Sequence, residues 1–173
     1  MAQLFKRKEI TYFTEWARHE SHKPLIIRGA RQVSKSTLVR QFADASGFSL
    51  LEFAPEDAQY SMPVGRVEYF YLGPLPFEDF ILALGHEELV QYLQPLSLDN
   101  ICGHSLPKPI HEKCLSLLKQ YWIVGGLPEA IASYVQLGDF MEVSRVLHSI
   151  VATYRDGFNK YSHDSARSEK CSS

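Results

Sequence analysis

The residues best suited to do chemistry lie together near the N-terminus. Gly29-Ala30-Arg31-Gln32-Val33-Ser34-Lys35-Ser36 nearly completes the pattern G-x-x-x-x-G-K-[S/T], which cradles phosphate where a strand turns into a helix. Backbone N–H groups and the helix N-terminus there make a concave set of donors for an anion. Gly29 opens the loop, Lys35 would meet the β- and γ-phosphates, and the Ser36 hydroxyl would hold Mg²⁺. Thr37 would add a contact near the α-phosphate, and Arg28 and Arg31 flank the loop as further ligand contacts. Ser34 stands where the pattern asks for its second glycine. If that position needs positive φ, a Cβ there costs on the order of 1 kcal/mol. The plainer alternative is a basic strand–turn–helix that binds nothing.

Other groupings carry less. Cys102, His104, His111 and Cys114 are of the right types for Zn²⁺, but their spacing matches no common finger and Cys114 falls on the apolar face of a helix. A buried cysteine with surface histidines is the simpler reading. His163-Asp164-Ser165 only echoes a catalytic triad, because adjacent residues cannot assemble one. Tyr69, Phe70 and Tyr71 could stack on nucleic acid, although alternating aromatics on a strand ordinarily pack core and edge.

The elements that must position the loop are legible. Leu25-Ile26-Ile27 is a short apolar run ending near glycine, as in a buried parallel strand. Leu38, Val39 and Phe42 then recur at helical spacing until Gly47. Residues 49–53 are expected as a second strand and residues 66–72 as a third, stopped by Gly73-Pro74. An opening helix reaches to about Glu20. Helices are expected over residues 77–84 and 87–93. Another carries Ile110, Cys114, Leu117, Leu118 and Tyr121 on one face. Gly125-Gly126 interrupts it, Pro128 opens a short helix, and a longer one starts near Asp139.

At 173 residues with a net charge of −2, the chain has room for one domain and a small appendage, and no bulk charge to draw it to nucleic acid or an anionic membrane. Basic residues nevertheless cluster in the first forty positions, so nucleic acid stays an open partner class beside a solvated basic face. Three cysteines without framework spacing argue against a disulfide-stapled secreted domain. The N-terminus lacks the apolar core of a signal peptide, and no apolar run approaches the roughly 20 residues of a membrane span. A cytoplasmic setting without membrane attachment is the expectation.

A family resemblance extends beyond the loop. Lys23-Pro24-Leu25-Ile26-Ile27-Arg28-Gly29-Ala30-Arg31-Gln32-Val33 resembles the segment opening the nucleotide site in prokaryotic AAA-type (AAA+) P-loop ATPases that carry a C-terminal domain of unknown function. Met62-Pro63-Val64-Gly65-Arg66-Val67-Glu68, with Leu72-Gly73-Pro74-Leu75-Pro76-Phe77-Glu78-Asp79-Phe80, is similar to that family's later core strand and following helix. Val124-Gly125-Gly126-Leu127-Pro128-Glu129-Ala130 and Ala152-Thr153-Tyr154-Arg155-Asp156 resemble its helical lid. The resemblance implies an α/β fold, a P-loop NTPase-like core with an incomplete parallel sheet followed by a mostly helical C-terminal segment. Residues 1–84 would be a partial nucleotide-binding core and 85–161 a lid-like segment, while the polar, serine-rich composition of residues 162–173 is that of a disordered tail.

It also implies ATP and Mg²⁺ as ligands, with Gly29, Arg31, Ser34, Lys35, Ser36 and Thr37 as the nucleotide-binding residues of a Walker A loop. Arg155 would be a lid arginine reaching phosphate, or else the partner of Asp156 or Glu142 on the helix surface. The family's Walker B strand, an apolar run ending in Asp-Glu, has no counterpart here. Only residues 54–63 lie between Phe53 and Val64, too few for two strands and their crossovers. The chain therefore resembles an internally deleted, C-terminally truncated member. Phosphoryl transfer rests on positioning and electrostatics, so such a chain would bind ATP and hydrolyse it poorly. The alternative is a catalytically inactive remnant acting as a helical interaction module, with itself or full-length relatives as partners.

Overall fold

A computed structural model describes residues 7–51, 66–94, 96 and 105–169, with side chains described up to 157. Within them lie seven helices and a two-stranded parallel sheet. Helix α1 (Glu9–Arg18) precedes β1 (Leu25–Arg28), and α2 (Lys35–Ser46) follows the loop. Strand β2 (Glu68–Tyr71) pairs with β1 in the register Leu25↔Glu68 to Arg28↔Tyr71. The ladder is extended where the Leu72 N–H donates to the Arg28 carbonyl at 2.7 Å, beside the loop.

Period-two alternation sorts the strand residues between the faces. Leu25, Ile27 and Phe70 join Phe13 of α1 and Leu38 and Phe42 of α2 around the buried Val33 and Leu72. Phe13 meets Phe42 and Phe70 edge-on, at centroid distances of 5.8 and 5.0 Å. Tyr69 and Tyr71, expected as packing residues, are instead 46% and 70% exposed on the opposite face, with the Arg28 guanidinium 4.3 Å from the Tyr69 ring.

The strand expected over residues 49–53 does not form in its described part. Gly47 ends α2 in the left-handed region, and Phe48, Leu50 and Leu51 follow exposed and outside any ladder. An apolar run becomes a strand only when its backbone groups find a neighbour to pair with. Among the described residues β1 pairs on one edge only, with β2.

The helical segment comprises α3 (Phe77–Ala83), α4 (Glu87–Leu93), α5 (Lys108–Val124), α6 (Pro128–Leu137) and α7 (Phe140–Glu169). Leu75 and Phe80 pack with Val124, Ala130, Ile131 and Val143 in one core. Ile81, Leu89, Val90 and Leu117 make a second. The predicted stripe on α5 is real: Cys114 and Leu117 are buried, and the Tyr121 hydroxyl donates to the Leu75 carbonyl at 2.8 Å. Helix α7 continues through residues 162–169, where the polar serine-rich composition suggested no order. Extending an established helix adds a hydrogen bond for each residue fixed, without the cost of a new nucleus. None of the helices in the described residues is long and apolar enough to cross a membrane.

Candidate functional site

The loop between β1 and α2 is shaped by four constraints, each traceable to a residue. Gly29 lies against the backbone of Leu72, and a Cβ added there would overlap the Leu72 carbonyl oxygen. Only glycine allows so close an approach. Val33 is fully buried and anchors the middle of the loop in the sheet-side core. Gln32 and Ser34 both take left-handed conformations, at φ 63° and 62°. Ser34 thus adopts the backbone for which the phosphate-loop pattern reserves glycine. The αL conformation costs an L-residue roughly 1–2 kcal/mol, and here the buried Val33 and the start of α2 hold it in place.

Lys35 opens α2 and folds back over the loop. Its ammonium donates to the Gly29 carbonyl at 3.0 Å and the Ala30 carbonyl at 2.6 Å. An ammonium has three protons, so one remains to be offered outward. Ser34 is the N-cap of α2 without making a side-chain cap bond, and the first turn holds no acidic residue. The N–H groups of that first turn lack intrahelical acceptors, so they add partial positive charge beside the ammonium. Ser36 is exposed and Thr37 half-buried on this same turn.

Two further side chains reach the loop from distant parts of the chain, and no sequence motif announced either. Arg7, nearly fully buried, donates through Nη2 to the Val33 carbonyl at 3.0 Å and through Nη1 to the Gly73 carbonyl at 3.3 Å. Burial lowers its pKa, while the negative charges of Glu9 and Asp79 oppose that shift. On α7, the Tyr154 hydroxyl donates to the Arg31 carbonyl at 2.5 Å. One turn on, Gly157 lies so close to the Arg31 guanidinium that a Cβ there would sit 2.7 Å from Nη1. The basic run near the N-terminus and the lid-like tyrosine were visible in sequence, but nothing assigned them to loop carbonyls. The Oε1 atom of Gln32 is buried without a hydrogen-bond partner, for which the surroundings offer no physical account.

The other sequence candidates stand apart from this site. Arg28 is stacked on Tyr69 at the end of β1. Arg155 is exposed on α7 and lines a groove with Leu147, His148, Val151, Ala152 and Asp156. Glu142 pairs with Arg145 at 2.8 Å, not with Arg155. Cys114 is buried and its thiol is pushed up by desolvation, His111 is exposed, and Cys102 and His104 fall outside the described residues. No group of three metal-ligating side chains occurs among the described residues. His163, Asp164 and Ser165 fall on the last part of α7, beyond the described side chains.

Comparison with protein-family models, curated proteins and solved structures gives no match for this chain.

Proposed function

We propose that residues 25–46 form the nucleotide site of an AAA-type P-loop protein that binds ATP and hydrolyses it poorly. The observation that carries the proposal is the conformation of the loop. Lys35 is folded onto the first two loop carbonyls, Ser34 is held in αL, and an uncapped helix N-terminus lies beside them. These donors fit a polyphosphate: backbone N–H groups cradle it and the Lys35 ammonium adds a point charge. Gly29, Arg31, Ser34, Lys35, Ser36 and Thr37 are the contacting residues. Mg²⁺ would arrive with the nucleotide, held by its phosphate oxygens and the Ser36 hydroxyl. Hydrolysis also needs a group to orient the attacking water and a carboxylate to order the metal. The sequence between Phe53 and Val64 has no apolar run ending in such a pair.

Thermal unfolding with and without Mg-ATP tests this reading. At 100 times the dissociation constant the ligand should add about 2.7 kcal/mol of stability, and Lys35→Ala should remove most of that gain. An unshifted native chain, or an equal shift in the variant, would rule the site out.

A second reading is supported by one observation on the helical side. Trp122 is 74% exposed, and Ile123, Met141 and Val151 are also largely open to solvent. Exposed apolar side chains of this kind suit an inactive helical module that pairs with itself or with longer relatives. Sedimentation of the native chain against Trp122→Glu separates the two readings, since only the second expects association that the charge abolishes.

A further inference from the structure

Resting on the nucleotide-site reading, we infer that Tyr154 and Arg7 are positioning residues for the phosphate loop, holding its peptide planes so that their N–H groups face an anion. Across a trans peptide, the carbonyl of one residue and the N–H of the next point in opposite directions. All peptides described are trans. Tyr154 takes the Arg31 carbonyl, which turns the Gln32 N–H away from α7. Arg7 takes the Val33 carbonyl, which turns the Ser34 N–H away from the Arg7 guanidinium. Both N–H groups belong to the two non-glycine residues with positive φ among the described residues. Alternation of ordinary and left-handed backbone makes successive N–H groups converge into an anion-binding concavity. Each of the two strained residues is thus tethered through the peptide that precedes it.

The tethers come from opposite ends of the chain and differ in kind. Arg7 is buried and also bonds Gly73, so it joins the loop to the turn after β2. Tyr154 makes an exposed contact, and the close packing of Gly157 on the Arg31 guanidinium keeps α7 pressed to that spot. The helical segment therefore sets part of the geometry of a site whose ligand-contacting residues all lie in 29–37. Loss of the Tyr154 hydroxyl should cost the loop its preorganisation and leave the fold intact.

The test is calorimetric titration of the whole chain with Mg-ATP and, separately, with inorganic pyrophosphate, using Tyr154→Phe and Arg7→Lys. The expected result for Tyr154→Phe is binding about five- to tenfold weaker for both ligands, the effect of one net hydrogen bond, with the melting temperature of the ligand-free chain unchanged. Arg7→Lys keeps the charge but loses the fork that spans two carbonyls, so affinity and ligand-free melting temperature should fall together. Equal affinity in the native chain and Tyr154→Phe overturns the positioning role even if both bind. If Tyr154→Phe loses its folding transition, the contact is structural and the inference is equally overturned. Failure of the native chain to bind either ligand removes the nucleotide site itself, a result distinguishable from the other two.

Discussion

Around β1 and β2 the described residues cover only one side of the sheet, whereas the helical segment closes on itself around two cores. Phe13, Val33, Leu38 and Leu72 are the buried centre of the first region, and Tyr69 and Tyr71 on the other sheet face are exposed. Leu75, Phe80, Val124, Ile131 and Val143, with the second cluster around Ile81 and Leu117, give the other region more buried apolar residues among those described. Parallel sheets ordinarily have both faces covered, since their crossovers lay helices on each side. The strained part of the candidate site belongs to the thinly packed region. Its tethers from Arg7 and Tyr154 supply order that the small sheet does not provide by itself.

The regions are nonetheless joined. Leu127 packs against both cores, Lys8 at the start of α1 pairs with Glu78 of α3 at 2.7 Å, and the Tyr154 hydroxyl of α7 bonds the Arg31 carbonyl. The largest expected effect tests that junction. Phe80→Ala should cost about 3–5 kcal/mol and lower the urea midpoint seen from both sides. Trp16 reports on the sheet region and Trp122 on the helical one, so variants that keep one tryptophan each should unfold at the same denaturant concentration. Separate midpoints would show two independently folding regions and break the comparison.

Next in size is the loss in Lys35→Ala of most of the about 2.7 kcal/mol that Mg-ATP adds at 100 times its dissociation constant, read as the difference between melting curves. It sharpens the contrast, because Lys35 contacts loop carbonyls and belongs to neither core.

A smaller effect concerns the seam between α1 and α3, where a cleft of about 230 Å³ is lined by Arg7, Lys8, Glu78 and Asp79 among others. Asp79 is buried, and its Oδ2 has no hydrogen-bond partner. Desolvation pushes its carboxyl above the ordinary range and the Glu9 charge adds to this, against Lys8 and Arg7. A raised folded-state value means the folded chain holds this proton more tightly than the unfolded chain. Its contribution is therefore fully present below the unfolded value of about 3.9 and lost as pH rises through the folded value. Asp79→Asn should stabilise the chain by about 1 kcal/mol at neutral pH and leave it nearly unchanged in acid. Urea titrations at the two pH values check the sign.

The smallest is Ser34→Gly. Relief of the αL conformation, offset by the greater unfolded-state freedom of glycine, should leave a gain of up to about 1 kcal/mol. A loss of stability would mean that the serine side chain holds the loop in a way its backbone angles do not reveal.

Sequence periodicity located most of the helices, since α4 spans residues 87–93 as expected and α5 buries the predicted stripe at Cys114 and Leu117. It also placed β1, the loop and α2, because the apolar run, Gly29 and the break at Gly47 are local signals. The strand expected over residues 49–53 does not form in its described part, 49–51, because strand formation depends on a partner that local sequence does not specify. Exposure of Tyr69 and Tyr71 was illegible for the same reason, since alternation shows that two faces differ but not which is covered.

What the sequence determined by itself is the chemistry that can be assembled: a lysine, a serine and an opening glycine at phosphate-loop spacing, with a serine in place of the second glycine. Only the tertiary structure decided how that loop is held. Arg7 and Tyr154 act through backbone carbonyls, and a carbonyl is common to every residue, so no pattern of side chains could reveal the pairing. The αL conformation of Ser34 belongs to this second class as well. It depends on the burial of Val33 and the contact of Gly29 with Leu72, which exist only once the sheet and helices have packed.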